Sequence, residues 1–202
     1  AIVDSTFKDI FNNHDLNDFY LNIQINNSKV SYNGGGSIFN SNTEFSGEQS
    51  NINEEFTDVI KGKYTLKRSF SEYFFPEGNF IIQGESEILY NIIEDDNGFS
   101  KIEGLGNLEN LNLKSEFLGP NLDFNNGKLR FLIRPYDNSF SGFADIKTNN
   151  LNVEVNSIFN LTKLIELDVQ TFKSPKQDFN LKYEGENNKF LINANKLSLD
   201  SI

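Results

Sequence analysis

Cysteine, methionine and tryptophan are absent from this chain, and histidine occurs once. Without cysteine there is no disulfide, no thiolate metal site and no cysteine nucleophile. The single histidine, His14, offers a transition metal too few ligands. It sits in Asn12-Asn13-His14-Asp15, which reads as a polar loop. Without methionine the chain lacks an initiator, so residues 1–202 read as one β-rich domain within a longer chain, with a possible sub-boundary near 61–63. No apolar run reaches the roughly 18 residues of a membrane-crossing helix.

Basic residues are also scarce. The 18 lysines and arginines face 29 acids, for a net charge of −11. The largest basic group, Lys61, Lys63, Lys67 and Arg68, lies among acids and reads as a solvated strand face. Nucleic acid needs a basic surface that displaces counterions, so it is not an expected partner. Nucleotide-binding loops and the Gly-x-Ser-x-Gly elbow are missing. Carboxylates are plentiful, but neither Glu85 with Glu87 on one strand face nor Glu54 with Glu55 specifies a reaction. Glu94-Asp95-Asp96-Asn97-Gly98 resembles part of a calcium loop. It lacks the spaced ligands and the distal glutamate, and reads as a hairpin. No catalytic residue, metal site or cofactor is assigned, and the chain is not expected to be an enzyme.

What the chain has is phenylalanine, 20 copies, set in alternating patterns. Phe19, Leu21, Ile23 and Ile25 alternate with polar residues, then Val30 and Tyr32 after a turn near Asn26-Asn27. Later runs are Leu129, Phe131 and Ile133; Leu151, Val153 and Val155; Phe190, Ile192 and Ala194; then Leu197 and Leu199. Turn signals fall between them. Pro76-Glu77-Gly78 suits a type I turn, and Asp96-Asn97-Gly98 and Asn125-Asn126-Gly127 suit tight hairpins, because Asn-Gly accepts positive φ. Tyr136-Asp137-Asn138-Ser139, Thr148-Asn149-Asn150 and Gly185-Glu186-Asn187-Asn188 mark further turns. Gly34-Gly35-Gly36 reads as a bend, bulge or flexible loop. The expected fold is all-β with a few short helices, an antiparallel meander forming a curved sheet, an open barrel or a sandwich.

Three short helices are expected from 3–4 spacing: Ile2, Val3, Phe7, Ile10 and Phe11; Ile52, Phe56, Val59 and Ile60, ended by Gly62; and Ile158, Leu161, Leu164 and Ile165 after Ser157. An extra buried strand is the alternative for the last. Alternation places Phe131, Ile133, Val153, Val155, Phe190 and Ile192 on single strand faces, as candidates to face an apolar ligand. Tyr73-Phe74-Phe75 before Pro76 are candidates for an apolar tip that touches a lipid or a partner.

The C-terminal third carries a resemblance. Gly127-Lys128-Leu129-Arg130-Phe131 starts a strand, and 142–151 reads as strand, turn and strand. The apolar stretch Ile158 to Leu167 follows, then Phe179-Asn180-Leu181-Lys182-Tyr183-Glu184 and the closing 188–197. This pattern resembles the C-terminal region of AsmA-like bacterial envelope proteins of the TamB and YhdP types. The membrane anchor of that family is missing here, and the chain stops where its further strands would follow. The resemblance implies a curved, apolar sheet groove facing the periplasm that holds or conveys phospholipid in outer-membrane biogenesis, with envelope proteins as further partners. Two other roles are compatible with the residues: an extracellular or phage-surface sandwich or barrel for adhesion or assembly, and a lipocalin-like small-ligand carrier. For the aromatic tip, Phe74→Ser is expected to weaken lipid or partner association with little change in melting temperature. A large drop in thermal melting would place Phe74 in the core instead.

Overall fold

In the computed structural model, residues 2–11, 14–26, 29–50, 58–74, 81–95, 98–115, 119–124, 126–160 and 163–197 are described. They form fifteen strands and one short helix. The strands are β1 Ile2–Phe11, β2 His14–Asn26, β3 Lys29–Ile38, β4 Ser41–Ser50 and β5 Asp58–Lys67, after which helix α1 spans Arg68–Phe74. There follow β6 Ile81–Asp95, β7 Gly98–Asn107, β8 Leu111–Ser115, β9 Gly119–Asp123, β10 Lys128–Tyr136 and β11 Ser139–Lys147. The last are β12 Asn152–Phe159, β13 Leu164–Lys173, β14 Asp178–Glu184 and β15 Lys189–Lys196. Residues 61–63 lie inside β5.

Thirteen strands make one antiparallel meander, β1 to β7 and then β10 to β15 in chain order. The pair β8–β9 leaves this path and docks on the start of β6. β1 and β15 are the two edges, so the described strands close no barrel. Strands touch substantially only the neighbours to which they are hydrogen-bonded. Among the described residues the fold is an open, curled sheet, with Leu66 of β5 and Phe172 of β13 packing on the same buried cluster.

Cross-strand partners share a face, so the register assigns every side chain. One face carries Leu21, Ile23, Tyr32, Phe45, Ile60, Ile92, Ile102, Phe131, Val155 and Leu181, with their row partners. The other carries every lysine and arginine of β3–β7 and β10–β14.

At one end of the sheet the apolar face is closed. Ile88, Leu108, Leu111, Phe124 and Leu151 are buried there, and Leu66, Ile82, Leu113, Leu129, Phe131, Ile146, Val153 and Phe172 pack against them. The turns at this end are tied by backbone bonds: Leu108 N–H to Gly127 O at 2.8 Å, Gly127 N–H to Phe124 O at 2.6 Å, and Ser174 N–H to Gln177 O at 2.8 Å. Helix α1 covers the same end. Ser71 Oγ donates to Arg68 O and accepts from Ile82 N–H, and Phe70 meets Tyr64 edge to face at 6.3 Å.

Close packing on the apolar face depends on glycine at particular rows. Tyr32 lies over its partner Gly47, Phe45 over Gly34, Tyr90 over Gly62 and Phe131 over Gly104. A Cβ at any of these glycines would overlap the ring. Each ring thus covers backbone that the glycine leaves bare.

Several expectations are corrected. The residues expected to form the first helix are strand β1, with register irregularities at Ile2/Ser5, Ser5/Phe7 and Phe7/Phe11. β1 advances three residues against two of β2 between Ile2 and Ser5 and four against two between Phe7 and Phe11, which breaks the period of two and imitates helical spacing. The helix expected at 157–167 is instead the end of β12 and the start of β13, with an irregularity at Ile158/Phe159 and a turn in which Asn160 N–H donates to Lys163 O; no extra buried strand forms, and 161–162 lie outside the described residues. Of the middle helix, Val59, Ile60 and Gly62 lie in β5, and 51–57 lie outside the described residues. His14 begins β2, opposite Phe11, and is not in a loop. Gly34-Gly35-Gly36 lie within β3, all paired with β4 and the first two also with β2, and a bulge on β2 between Asn17 and Tyr20 faces Gly36. Asn126 has φ 56°, as the turn requires, but β9 and β10 do not pair, so Asn125-Asn126-Gly127 makes no hairpin. The turns at 136–139, 148–151 and 185–188 are as expected. Pro76-Glu77-Gly78, Asn27 and Asp96-Asn97 lie outside the described residues, although the register Asp95↔Gly98 makes β6–β7 a hairpin.

Gly104→Val sets a branched side chain against Phe131 and the Leu89 carbonyl. Overpacking of this kind costs about 1–3 kcal/mol. A urea titration should show the lower midpoint, while Ser46→Val on the opposite face leaves it nearly unchanged.

Candidate functional site

The six residues proposed to face an apolar ligand share one face. Phe131 pairs with Ala144, and Ala144 with Val155; Ile133 pairs with Gly142; Val153 pairs with Ile146 and Phe172; Phe190 pairs with Tyr183, and Ile192 with Leu181. Following these rows across the sheet returns all six to the apolar side. Phe131 and Val153 border the closed end, whereas Phe190 and Ile192 stand on the edge strand, 62% and 51% exposed. They form part of a continuous face and line no enclosed cavity. Ring pairs run along it: Phe19–Phe45 at 6.2 Å, Phe172–Phe179 at 4.7 Å and Tyr183–Phe190 at 4.6 Å.

Of the aromatic tip, Tyr73 and Phe74 fall in the last turn of α1, and Phe75 lies outside the described residues. The helix places this segment at the closed end of the sheet.

The opposite face is an ion-pair lattice. Lys63 bridges Glu44 at 3.0 Å and Glu87 at 3.7 Å, Lys101 meets Glu103 at 2.8 Å, and Arg130 and Lys147 both reach Asp145 at 3.2 Å. The hydrogen bond to Glu44 holds the Lys63 ammonium above its ordinary range, and that from Lys101 holds Glu103 below its own. Within this face lies an open depression of about 790 Å³, floored by Leu89, Leu105, Leu132 and Phe143 and flanked by Lys61, Asn91, Glu103 and Arg130. The Arg130 guanidinium lies 5.6 Å from the Phe143 ring centre, close enough for a cation–π contact.

At the end remote from the core, the apolar face contains a polar group that sequence reasoning did not pick out. Asp58 and Glu94 are direct cross-strand partners, and Tyr32 Oη donates to Asp58 Oδ2 at 2.8 Å. Asp58 is 7% exposed, and its Oδ1 has no hydrogen-bond partner. Burial, the hydrogen bond to Asp58 and the charges of Asp58 and Glu94 together push the Tyr32 phenol well above its ordinary value. Beside Glu94 stands Phe99, which meets Phe140 edge to face at 6.2 Å; Phe140 meets Phe159 at 5.9 Å. Alternation could have signalled this cluster, but Asp58 stood inside an expected helix and Glu94 inside an acidic turn run. Among the described residues, no group of three or more acids and histidines has metal-binding geometry.

No family model, no curated protein and no solved structure matches this chain.

The raised Tyr32 phenol sets the sign of a pH effect. Its contribution to stability is full below the ordinary tyrosine pKa, near 10. It is lost above that value, as the unfolded phenol ionises before the folded one. Tyr32→Phe should therefore flatten the alkaline fall in melting temperature. Phenolate absorbance should show one tyrosine fewer among those that titrate only after unfolding.

Proposed function

We propose that this chain is a non-enzymatic β-domain that holds or conveys lipid, or another apolar ligand, along its apolar sheet face. The observation that carries the reading is the uncovered face itself. Thirteen strands present one apolar side, and among the described residues β8–β9 and α1 cover it at one end only. Large contiguous apolar surfaces on folded proteins mark places where something apolar docks. A bilayer-derived ligand suits an open, elongated face better than a compact metabolite does. The AsmA-like pattern of the C-terminal strands supports the same reading. It extends it to a periplasmic, envelope-bound role in outer-membrane biogenesis, with envelope proteins as neighbours. A lipocalin-like carrier presupposes a closed barrel, and a surface module of sandwich type presupposes two layers, so both fit this sheet less well.

Native mass spectrometry of gently purified protein should show bound phospholipid, and delipidated protein should take up a fluorescent phospholipid. Ile192→Asp puts a charge on the exposed edge of the face and should reduce uptake several-fold while leaving the melting temperature within a few degrees. Protein that carries no lipid and takes none up would overturn the reading.

A further inference from the structure

On the paired strands from β3 to β7 and β10 to β14, charge is sorted almost completely. All lysines and arginines and nearly all acids fall on the ion-pair face; the exceptions are Asp58 and Glu94, side by side on the apolar face. No ion pair with a described cation neutralises them. Asp58 is more than nine-tenths buried with Oδ1 unpartnered. A buried carboxylate oxygen without a donor is destabilising, because it has lost its water and gained nothing. A hydroxyl, Tyr32 Oη, already occupies Oδ2. The half-buried Glu94 sits at the head of an aromatic row on the same face, Phe99, Phe140 and Phe159.

We infer that this end of the apolar face binds the cationic head of an ammonium-bearing phospholipid, of ethanolamine or choline type. Glu94 supplies the charged contact, and Asp58, held by Tyr32, keeps the field negative behind it. The ring faces of Phe99 and Phe140 take the carbon-bound side of the cation. The acyl chains leave that end across the next row of the same face, Ile60, Ile92, Ile102 and Ile133, and run along the strands past Tyr90 and Phe131 toward the closed end. The inference rests on the lipid-holding reading above and adds the headgroup class and its orientation.

The test offers delipidated protein equal amounts of dioleoyl phosphatidylethanolamine and dioleoyl phosphatidylglycerol in mixed vesicles. Retained lipid is then weighed by native mass spectrometry. Wild-type protein is expected to retain the ethanolamine lipid several-fold over the glycerol lipid. Asp58→Asn/Glu94→Gln should lose that preference and keep its total uptake. If the double variant fails to fold, Glu94→Gln alone carries the comparison. Equal retention by the wild type, or a preference that survives in the variants, overturns the headgroup inference and leaves lipid holding intact. Retention of neither lipid overturns both. Calcium uptake that the variants abolish, without any lipid preference, also overturns it by giving the two acids to a metal.

Discussion

A β-sheet puts successive side chains on opposite faces, and among the described residues other elements cover this sheet at one end only. Those two facts set the problem that the rest of the molecule answers. An apolar face normally disappears against a second sheet or a row of helices. Here the strands touch little beyond their hydrogen-bonded neighbours, so the face has to be covered from within. The rings of Tyr32, Phe45, Tyr90 and Phe131 do this by lying over glycines on adjacent strands. The β8–β9 pair and α1 do it at one end by folding back over the sheet. Beyond these, coverage runs out, and exposure rises toward the edges, where Ile25 and Phe190 stand in water.

The charged face has a different role. Its cross-strand pairs are exposed, and such pairs contribute only about 0–1 kcal/mol each. Their value lies in register. A slip of one residue would turn the lysines of β5, β10 and β14 onto the apolar side, a far larger penalty than the pairs themselves return. Irregularities therefore occur where the strands can absorb them, in β1 against β2, and at Ile93/Glu94 and Val169/Phe172. The lattice and the apolar face are two consequences of one alternation.

How far that alternation was legible depended on bulges. Where strands pair without interruption, as β10 with β11 and β11 with β12, the sequence shows faces and turns directly, down to the Tyr136–Ser139 hairpin. Phe131, Ile133, Val153 and Val155 lie in these pairings, and Phe190 and Ile192 in the regular stretch of β14 with β15, so the six fall together. Where a bulge adds a residue, the spacing shifts toward three and four, and β1 and the β12–β13 junction imitate amphipathic helices. The real helix went unread for the opposite reason. Seven residues without an acidic first turn have almost no helical signature. Its order comes from tertiary contacts, the Ser41–Ser69 hydroxyl pair at 3.0 Å and the Ile82 N–H to Ser71 Oγ bond at 3.0 Å among them. The β8–β9 excursion was hidden similarly. A sound Asn-Gly turn signal states the local φ and not which strands pair around it.

The two ends of the apolar face differ in kind, and the difference gives the face a direction. At one end Leu108, Leu111, Phe124 and Leu151 make a dry core whose turns satisfy their own backbone groups. At the other, a tyrosine and two carboxylates interrupt an otherwise uncharged surface. Had the sheet needed only to fold, an asparagine or a threonine at those rows would have met the same backbone geometry without burying charge. A uniformly apolar strip would admit a chain molecule in either orientation. Anionic groups at a single end favour the orientation that brings a positive group to them and sends the apolar tail toward the core. On such a face orientation follows from where the charge sits, with no enclosed pocket required.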